Sequence, residues 1–153
     1  MDLDAIDKKI IGILQGDATL SIQDVADKVG LTTNPCWRRI RKLEAERVIK
    51  GRVAVIDPTA LGLKMTAFVR IHTQEHTKVW VDQFKKAVQR LPEVVECHRM
   101  TGEVDYLLKI MVRDLEHYDD VYQRLIAYAP HLSDVSSSFS MEQLKAVDFS
   151  VLA

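Results

Sequence analysis

Apolar residues recur every three or four positions near the start of the chain, a spacing that predicts two short helices. The first covers residues 4–15 and ends at Gly16. Its buried stripe consists of Ile6, Ile10, Ile13 and Leu14. The second helix follows Ser21, which forms with Asp24 the pattern of a helix N-cap, and it stops before Gly30. The chain therefore begins with a small helical module.

A third helix is predicted from Thr32 or Thr33 to about Glu46. Pro35 lies in its first turn, where a missing amide removes no intrahelical hydrogen bond. At about 100° per residue, the side that faces the core consists of Cys36, Ile40, Leu43 and Arg47. The opposite side consists of Asn34, Arg38, Arg41 and Ala45, flanked by Trp37 and Lys42. We expect Arg39, at the edge of the core, to pair or pack internally.

Two short β-strands are predicted directly after the third helix. Val48–Ile49 and Arg52–Ile56 lie on either side of Lys50 and Gly51, an arrangement typical of a hairpin with a basic tip. Three helices followed by such a hairpin indicate a winged helix-turn-helix over residues 1–56, in which the third helix is the recognition helix.

The second half of the chain alternates between strand and helix patterns. A break at residues 57–63, which contains a proline and a glycine, predicts a linker. Strands are expected at residues 64–73, 94–100, 106–112 and 135–143. One helix stripe runs from Trp80 to Leu91. The second stripe comprises Leu115, Tyr118, Tyr122, Leu125, Ile126 and Ala129. The order βαββαβ predicts a ferredoxin-like domain over residues 64–153, and the whole chain is therefore of the α+β class.

The strand at residues 106–112 is apolar on both of its alternating faces, although two helices cover only one face of such a sheet. Modules of about 56 and 90 residues are also small for independent stability. We therefore expect the second sheet face to meet another subunit in a homodimer.

Basic side chains are concentrated in one segment of the chain. The net charge is −1, but residues 33–56 carry seven Lys and Arg against Glu44 and Glu46, a balance of +5. Such a patch on a recognition helix favours double-stranded DNA as a partner, because phosphates attract cations and arginines reach base edges in the major groove. The candidate DNA-binding residues are Thr33, Asn34, Trp37, Arg38, Arg41, Lys42, Lys50 and Arg52.

These candidates differ in the contacts we expect of them. Lys50 and Arg52 suit phosphates, whereas Arg38 and Arg41 suit either bases or phosphates. Two interpretations remain for Trp37: it stacks against DNA, or it is simply half-buried at the edge of the core.

We find little support for an enzyme. His72 ends a predicted strand and His76 lies in a polar loop, so the pair lacks the helical spacing of a metal site. Glu96 and His98 alternate on one strand face and can pair, but no nucleophile or phosphate-binding loop accompanies them. We therefore predict no catalytic residue, no metal and no cofactor.

Three features concern the cellular setting. The longest apolar runs have only a few residues, for example Val53–Ile56, against about 20 for a membrane span. The start at Met1–Asp4 is acidic, where a targeting peptide is basic. Cys36 and Cys97 have neither disulfide nor metal spacing. We expect a cytoplasmic protein with reduced cysteines and no membrane partner.

Two segments carry a resemblance to a known family. LTTNPCWRRIRKLEAERVIKGRVAVIDPTALG at Leu31–Gly62 and MTGEVDYLL at Met100–Leu108 resemble the Lrp/AsnC (feast/famine, leucine-responsive) transcriptional regulators. The resemblance implies that the first module binds DNA and that the second, called RAM, dimerises and assembles tetramers or octamers. It also implies that a small effector, usually an amino acid, binds between RAM modules near a hairpin loop. The corresponding residues here are Thr101, Gly102, Glu103, Val104, Asp105 and Tyr106.

Two residues of this loop have the chemistry that an amino-acid ligand requires. Gly102 lets backbone amides approach a carboxylate, and Asp105 offers a charge for an α-ammonium group; the alternative is a hairpin turn with a capping Asp. Arg47 departs from the family, which usually has glycine there, and Cys36 replaces a small aliphatic residue. The expected function is a DNA-binding transcriptional regulator that responds to an amino acid. The alternative is an amino-acid sensor that does not bind DNA, against which the basic face argues.

Overall fold

The computed structural model of the protein describes residues 2–145. It contains two compact units, which divide between Val55 and Ile56. The helices are α1 (Ala5–Gly16), α2 (Ile22–Val29), α3 (Thr33–Ala45), α4 (Lys78–Gln89) and α5 (Leu115–Tyr128). The strands are β1 (Met65–Thr73), β2 (Val94–Arg99), β3 (Tyr106–Val112) and β4 (Leu132–Phe139). None of the described helices is long and apolar enough to cross a membrane.

The three helices of the first unit begin and end close to the predicted positions. Asp4 caps α1 by accepting hydrogen bonds from the amides of Ile6 and Asp7, at 2.9 and 2.8 Å. Ser21 and Asp24 form the capping box of α2, which ends at Gly30 with a left-handed φ of 73°. The buried core consists of Ile10, Leu14, Val25, Ala26, Cys36, Ile40 and Leu43. The predicted core side of α3 is confirmed for its three apolar members.

Arg47 does not lie on that core side, so this part of the prediction is wrong. The helix ends at Ala45, and Arg47 follows it, exposed, with a left-handed φ of 57°. Its amide donates to the carbonyl of Glu44, and the amide of Val48 donates to the carbonyl of Leu43. These two bonds form a Schellman motif, in which this position usually carries glycine because a Cβ atom is strained there.

The two predicted wing strands are also wrong. Residues 46–57 contain no strand, and the amides of Val48 and Ile49 both donate to the carbonyl of Leu43. Val53 and Val55 are 86% and 96% exposed, so a hairpin here has no apolar surface to cover. An isolated two-stranded hairpin is only marginally stable, and strands of two and five residues make few hydrogen bonds.

The second unit has the predicted βαββαβ order. Its four strands form one antiparallel sheet in the order β2-β3-β1-β4. Alternate residues of β1 and β3 pack under α4 and α5, including Val69, Ile71, Leu108 and Ile110. The ferredoxin-like prediction is confirmed. The last strand, however, ends at Phe139, four residues before its predicted end at Gln143.

The predicted apolar stripe of α5 is only partly correct. Leu115 and Ile126 are 62% and 43% exposed. The buried positions are Val121, Leu125 and Ala129, which recur at four-residue intervals. The prediction was correct for Leu125 and Ala129 and wrong for Leu115 and Ile126, because apolar residues also occur on the side of the helix that faces solvent.

A β-bulge in β2 changes which of its side chains face the helices. Val94 pairs with Ile110, but the register shifts before Glu96, which pairs with Lys109. Cys97 and Arg99 then pair with Leu108 and Tyr106, whose side chains pack under α4. Residues directly opposite in a sheet share a face. The extra residue therefore turns the Cys97 and Arg99 side chains toward the helices and those of Glu96 and His98 toward the other face.

An ion-pair network joins the turn before β2 to α5. The Glu93 carboxylate lies 2.6 Å from Nη2 of Arg124 and accepts a hydrogen bond from Nε2 of His117 at 3.2 Å. Burial raises the pKa of the Glu93 carboxyl, but the hydrogen bonds from Arg124 and His117 outweigh burial and hold that pKa below its ordinary value. The ionised form of Glu93 is therefore favoured in the folded state.

We expect Glu93→Gln to lower the free energy of unfolding by about 1–3 kcal/mol near neutral pH, because the charge-assisted bonds are lost. A carboxyl whose pKa is depressed by folding adds stability above its unfolded pKa and loses it as the pH falls through its folded pKa. The difference from the wild type should therefore shrink in acid. Urea denaturation across this pH range measures both effects.

Asp120→Asn is the matched control, since Asp120 pairs with the same Arg124 but its side chain is 64% exposed. We expect a change below about 1 kcal/mol for this variant. Equal losses in both variants, or a Glu93→Gln deficit that does not vary with pH, would show that the network is not electrostatic.

Candidate DNA-binding surface and hairpin loop

The outer face of α3 carries the predicted DNA-binding side chains of that helix. Arg38, Arg41 and Lys42 are exposed, and Trp37 is 45% exposed. The guanidinium carbon of Arg41 lies 5.7 Å from the centre of the Trp37 ring, within the range of a cation–π contact. Trp37 is thus half-exposed beside an arginine, which leaves its ring accessible from solvent.

One carboxylate holds two of the candidate arginines. Oε2 of Glu44 lies 3.3 Å from Nη1 of Arg41, one turn earlier on α3. Oε1 of the same residue lies 3.5 Å from Nη2 of Arg52, in the segment that follows the helix. The sequence analysis did not predict these ion pairs of Glu44, although the i, i+3 spacing of Glu44 from Arg41 is a recognisable signal for the first of them. The bridge to Arg52 depends on the path of the chain after α3 and has no local signal.

Arg39 fixes the position of α3 against α1, as predicted for an internally paired residue. Its Nη1 lies 2.6 Å from Oδ2 of Asp4 and 2.7 Å from Oδ1 of Asp7. The amide of Asp7 and the Arg39 guanidinium together hold the pKa of Asp4 below its ordinary value. Asp4 thus caps α1 and anchors α3 with the same side chain. Arg39 therefore forms ion pairs inside the first unit, whereas Arg38 and Arg41 on the outer face of α3 are exposed to solvent.

The remaining DNA-binding candidates occupy both ends of this surface. The Thr33 hydroxyl donates to Oε1 of Gln23 on α2, which ties the start of α3 to the preceding helix. Asn34 is exposed in the first turn of α3. Lys50 is exposed and Arg52 is 46% exposed, both in the segment after α3. All eight candidates therefore belong to α3 or to the ten residues that follow it.

The hairpin loop between β2 and β3 is held by Asp105. Oδ2 of Asp105 accepts a hydrogen bond from the amide of Thr73 at 2.9 Å, at the end of β1. Its own amide donates to the carbonyl of Ile71, and its carbonyl accepts from the amide of Met100. The hairpin-capping alternative is therefore realised in part. No residue between 2 and 145 donates to Oδ1 of Asp105, so that oxygen can still accept from a ligand.

The other loop residues differ in burial. Thr101, Gly102 and Glu103 are exposed. Gly102 has a φ of 100°, a backbone conformation that residues with a Cβ atom rarely adopt. Val104 is half-buried. Tyr106 is 5% exposed, and its ring lies 4.5 Å from that of Phe84, so it belongs mainly to the core. The loop presents a tight, exposed turn beside one fixed carboxylate.

The described residues offer no metal centre: within residues 2–145, no three His, Cys, Asp or Glu side chains are grouped so as to hold a metal ion. Glu96 and His98 do pair, at 3.3 Å, but Glu96 also lies 3.1 Å from Nζ of Lys109. This cluster is an exposed ion-pair network on the sheet face that the helices leave open.

Comparisons with known proteins agree with this architecture. Residues 3–44 match the AsnC-type helix-turn-helix domain, and residues 66–147 match the Lrp/AsnC ligand binding domain. The chain is 49% identical over 143 residues to the DNA-binding transcriptional activator DecR of Escherichia coli, and the match covers 94% of both proteins.

Two solved structures share the fold over nearly the whole chain. The AsnC family transcriptional regulator from Agrobacterium tumefaciens superposes with a TM-score of 0.90 at 50% identity, covering 94% of each chain. A transcriptional regulator of Neisseria meningitidis in complex with L-Met gives a TM-score of 0.88 at 29% identity, covering 95% of this chain and 94% of that one. The protein described here belongs to the Lrp/AsnC family, whose members are DNA-binding transcriptional regulators and not enzymes.

Proposed function

We propose that α3 of this regulator enters the major groove of DNA and that Arg38 and Arg41 contact bases or phosphates there, while Lys50 and Arg52 contact phosphates. The observation that carries the proposal is the division of α3 into two sides. Cys36, Ile40 and Leu43 are buried, and the basic side chains lie opposite them. A helix presented in this way fits the groove with its polar side facing base edges. The protein acts in the cytoplasm, where it meets chromosomal DNA.

The second unit provides the homodimer contact in this proposal. On the sheet face away from α4 and α5, Phe68 is 40% exposed, and Leu107 and Met111 are partly exposed between charged side chains. A second copy covering this face would bury the apolar residues that the helices leave open. Two-fold symmetry then places two recognition helices on a pseudo-palindromic site, and dimers assemble further into tetramers or octamers.

The effector in this proposal is an amino acid that binds at the loop from Thr101 to Tyr106. Its α-carboxylate approaches the exposed backbone at Gly102, and its α-ammonium group pairs with Oδ1 of Asp105. The related Neisseria regulator was solved with L-Met, which makes L-Met the first ligand to test. Binding there changes the assembly of the dimers and, through it, the spacing of the recognition helices.

We expect Arg38→Ala to weaken specific DNA binding by about 1–3 kcal/mol and to relax base preference at one position of each half-site. In vitro selection from random DNA with both proteins measures the preference. An unchanged preference with weaker binding would assign Arg38 to a phosphate. An unchanged affinity would remove Arg38 from the interface.

We expect Glu44→Gln to strengthen binding to random-sequence DNA, because it releases Arg41 and Arg52 to contact phosphates. Glu46→Gln is the matched control: it removes the same charge two residues away, from an exposed residue that forms no ion pair with any residue between 2 and 145. Fluorescence anisotropy with random DNA should show a larger gain and a steeper salt dependence for Glu44→Gln. Equal gains would mean that only net charge matters.

We expect Asp105→Asn to weaken L-Met binding at least about tenfold, since one charge-assisted bond is lost. The amide oxygen can still accept from Thr73, so the hairpin should remain and DNA affinity in the absence of effector should be unchanged. Asp105→Ala also removes that structural bond and therefore tests both roles together. Calorimetry measures L-Met binding, and sedimentation velocity on the same samples reports the assembly. Undiminished L-Met binding by Asp105→Asn would contradict the proposed role.

A further inference from the structure

A cavity of about 460 Å³ lies between α4 and the edge strand β2, on the helix side of the sheet. Its apolar wall is formed by Phe84, Val88 and Tyr106. Lys85 of α4 and Arg99 of β2 line the same cavity, together with Cys97. This volume lies within the range of about 300–1,000 Å³ that is typical of small-molecule sites.

The bulge in β2 determines the charge of this cavity. Without the extra residue at Val95, strand alternation after Val94 would place Glu96 and His98 on the helix side. With it, Cys97 and Arg99 face the cavity, and Glu96 is paired with Lys109 on the opposite sheet face. The lining therefore has the Cys97 thiol opposite Leu108, where regular alternation would have put the Glu96 carboxylate, and the Arg99 guanidinium opposite Tyr106, where it would have put His98.

The remaining polar groups of the lining do not cancel the positive charge. Burial raises the pKa of both the Cys97 thiol and the Tyr106 phenol, so both stay neutral near neutral pH. Lys85 and Arg99 are cations, and the lining residues include no carboxylate. A ligand that carries an α-ammonium group would meet two cations there and no counter-charge.

We propose that this cavity binds small apolar monocarboxylates, with the carboxylate between Lys85 and Arg99 and the apolar body against Phe84, Val88 and Tyr106. Arg99 provides the planar donor pair that suits a carboxylate, and the aromatic and aliphatic wall suits the hydrocarbon part. The site discriminates against the corresponding amino acids. The cavity shares Tyr106 with the proposed effector loop, but Asp105, which would bind the α-ammonium group there, does not line the cavity. The proposed binding does not depend on DNA.

Three probes that share one carbon skeleton test this proposal by calorimetry. We expect 3-phenylpropanoate to bind, and 3-phenylpropanamide, which lacks the charge, to bind at least about tenfold more weakly. Phenylalanine adds an ammonium group to the same skeleton. We expect any phenylalanine binding to be insensitive to changes at Arg99, because it would occur elsewhere.

Arg99→Gln should weaken 3-phenylpropanoate binding at least about tenfold, whereas Arg113→Gln, which removes an exposed arginine outside the cavity, should leave it within about twofold. Lys85→Gln provides a second test on the opposite wall. Thermal unfolding of each variant verifies the fold, which we expect to persist because Lys85 and Arg99 are exposed. Absence of 3-phenylpropanoate binding at about 10 mM, or binding that neither variant weakens, would overturn the proposal.

Discussion

The burial of one side of α3 is the constraint on which the proposed DNA-binding surface depends. Cys36, Ile40 and Leu43 are removed from water, so the helix cannot rotate about its axis without exposing them. The ion pairs of the Arg39 guanidinium with Asp4 and Asp7, at the start of α1, further restrain the rotation of α3. Once these contacts fix the rotation, the arginines and Trp37 on the opposite side have only one direction in which to point.

In the second unit, the two faces of the sheet likewise differ in burial. Strand alternation buries one set of side chains under α4 and α5 and leaves the other set, including Phe68, uncovered by these helices. The bulge in β2 is the one interruption of this alternation in that strand, and it sends Arg99 to the helix side. A single extra residue therefore decides which charges face the cavity and which join the ion pairs on the open face.

The predictions from sequence succeeded where periodicity and caps agree, and failed where a longer-range effect decides the outcome. The helices after Asp4 and Ser21 and the strand at Tyr106 were predictable because pattern and boundary signals coincide there. The prediction of two wing strands failed because the side chains of Val53 and Val55 have no apolar surface to pack against. Arg47 was misplaced because a helical angle was extended past the C-terminus of α3. The β2 bulge and the bridge from Glu44 to Arg52 depend on tertiary structure, which one sequence does not display.

The most direct test is a titration of the wild-type protein with DNA from upstream of its own gene. Fluorescence anisotropy is measured at several salt concentrations, with and without each of the twenty amino acids. We expect specific binding whose dissociation constant rises with at least about the fourth power of salt concentration, as about five neutralised phosphates require, and which shifts with one amino acid. Binding no tighter than to random DNA, together with retained amino-acid binding, would contradict the account and identify a sensor that does not act through DNA.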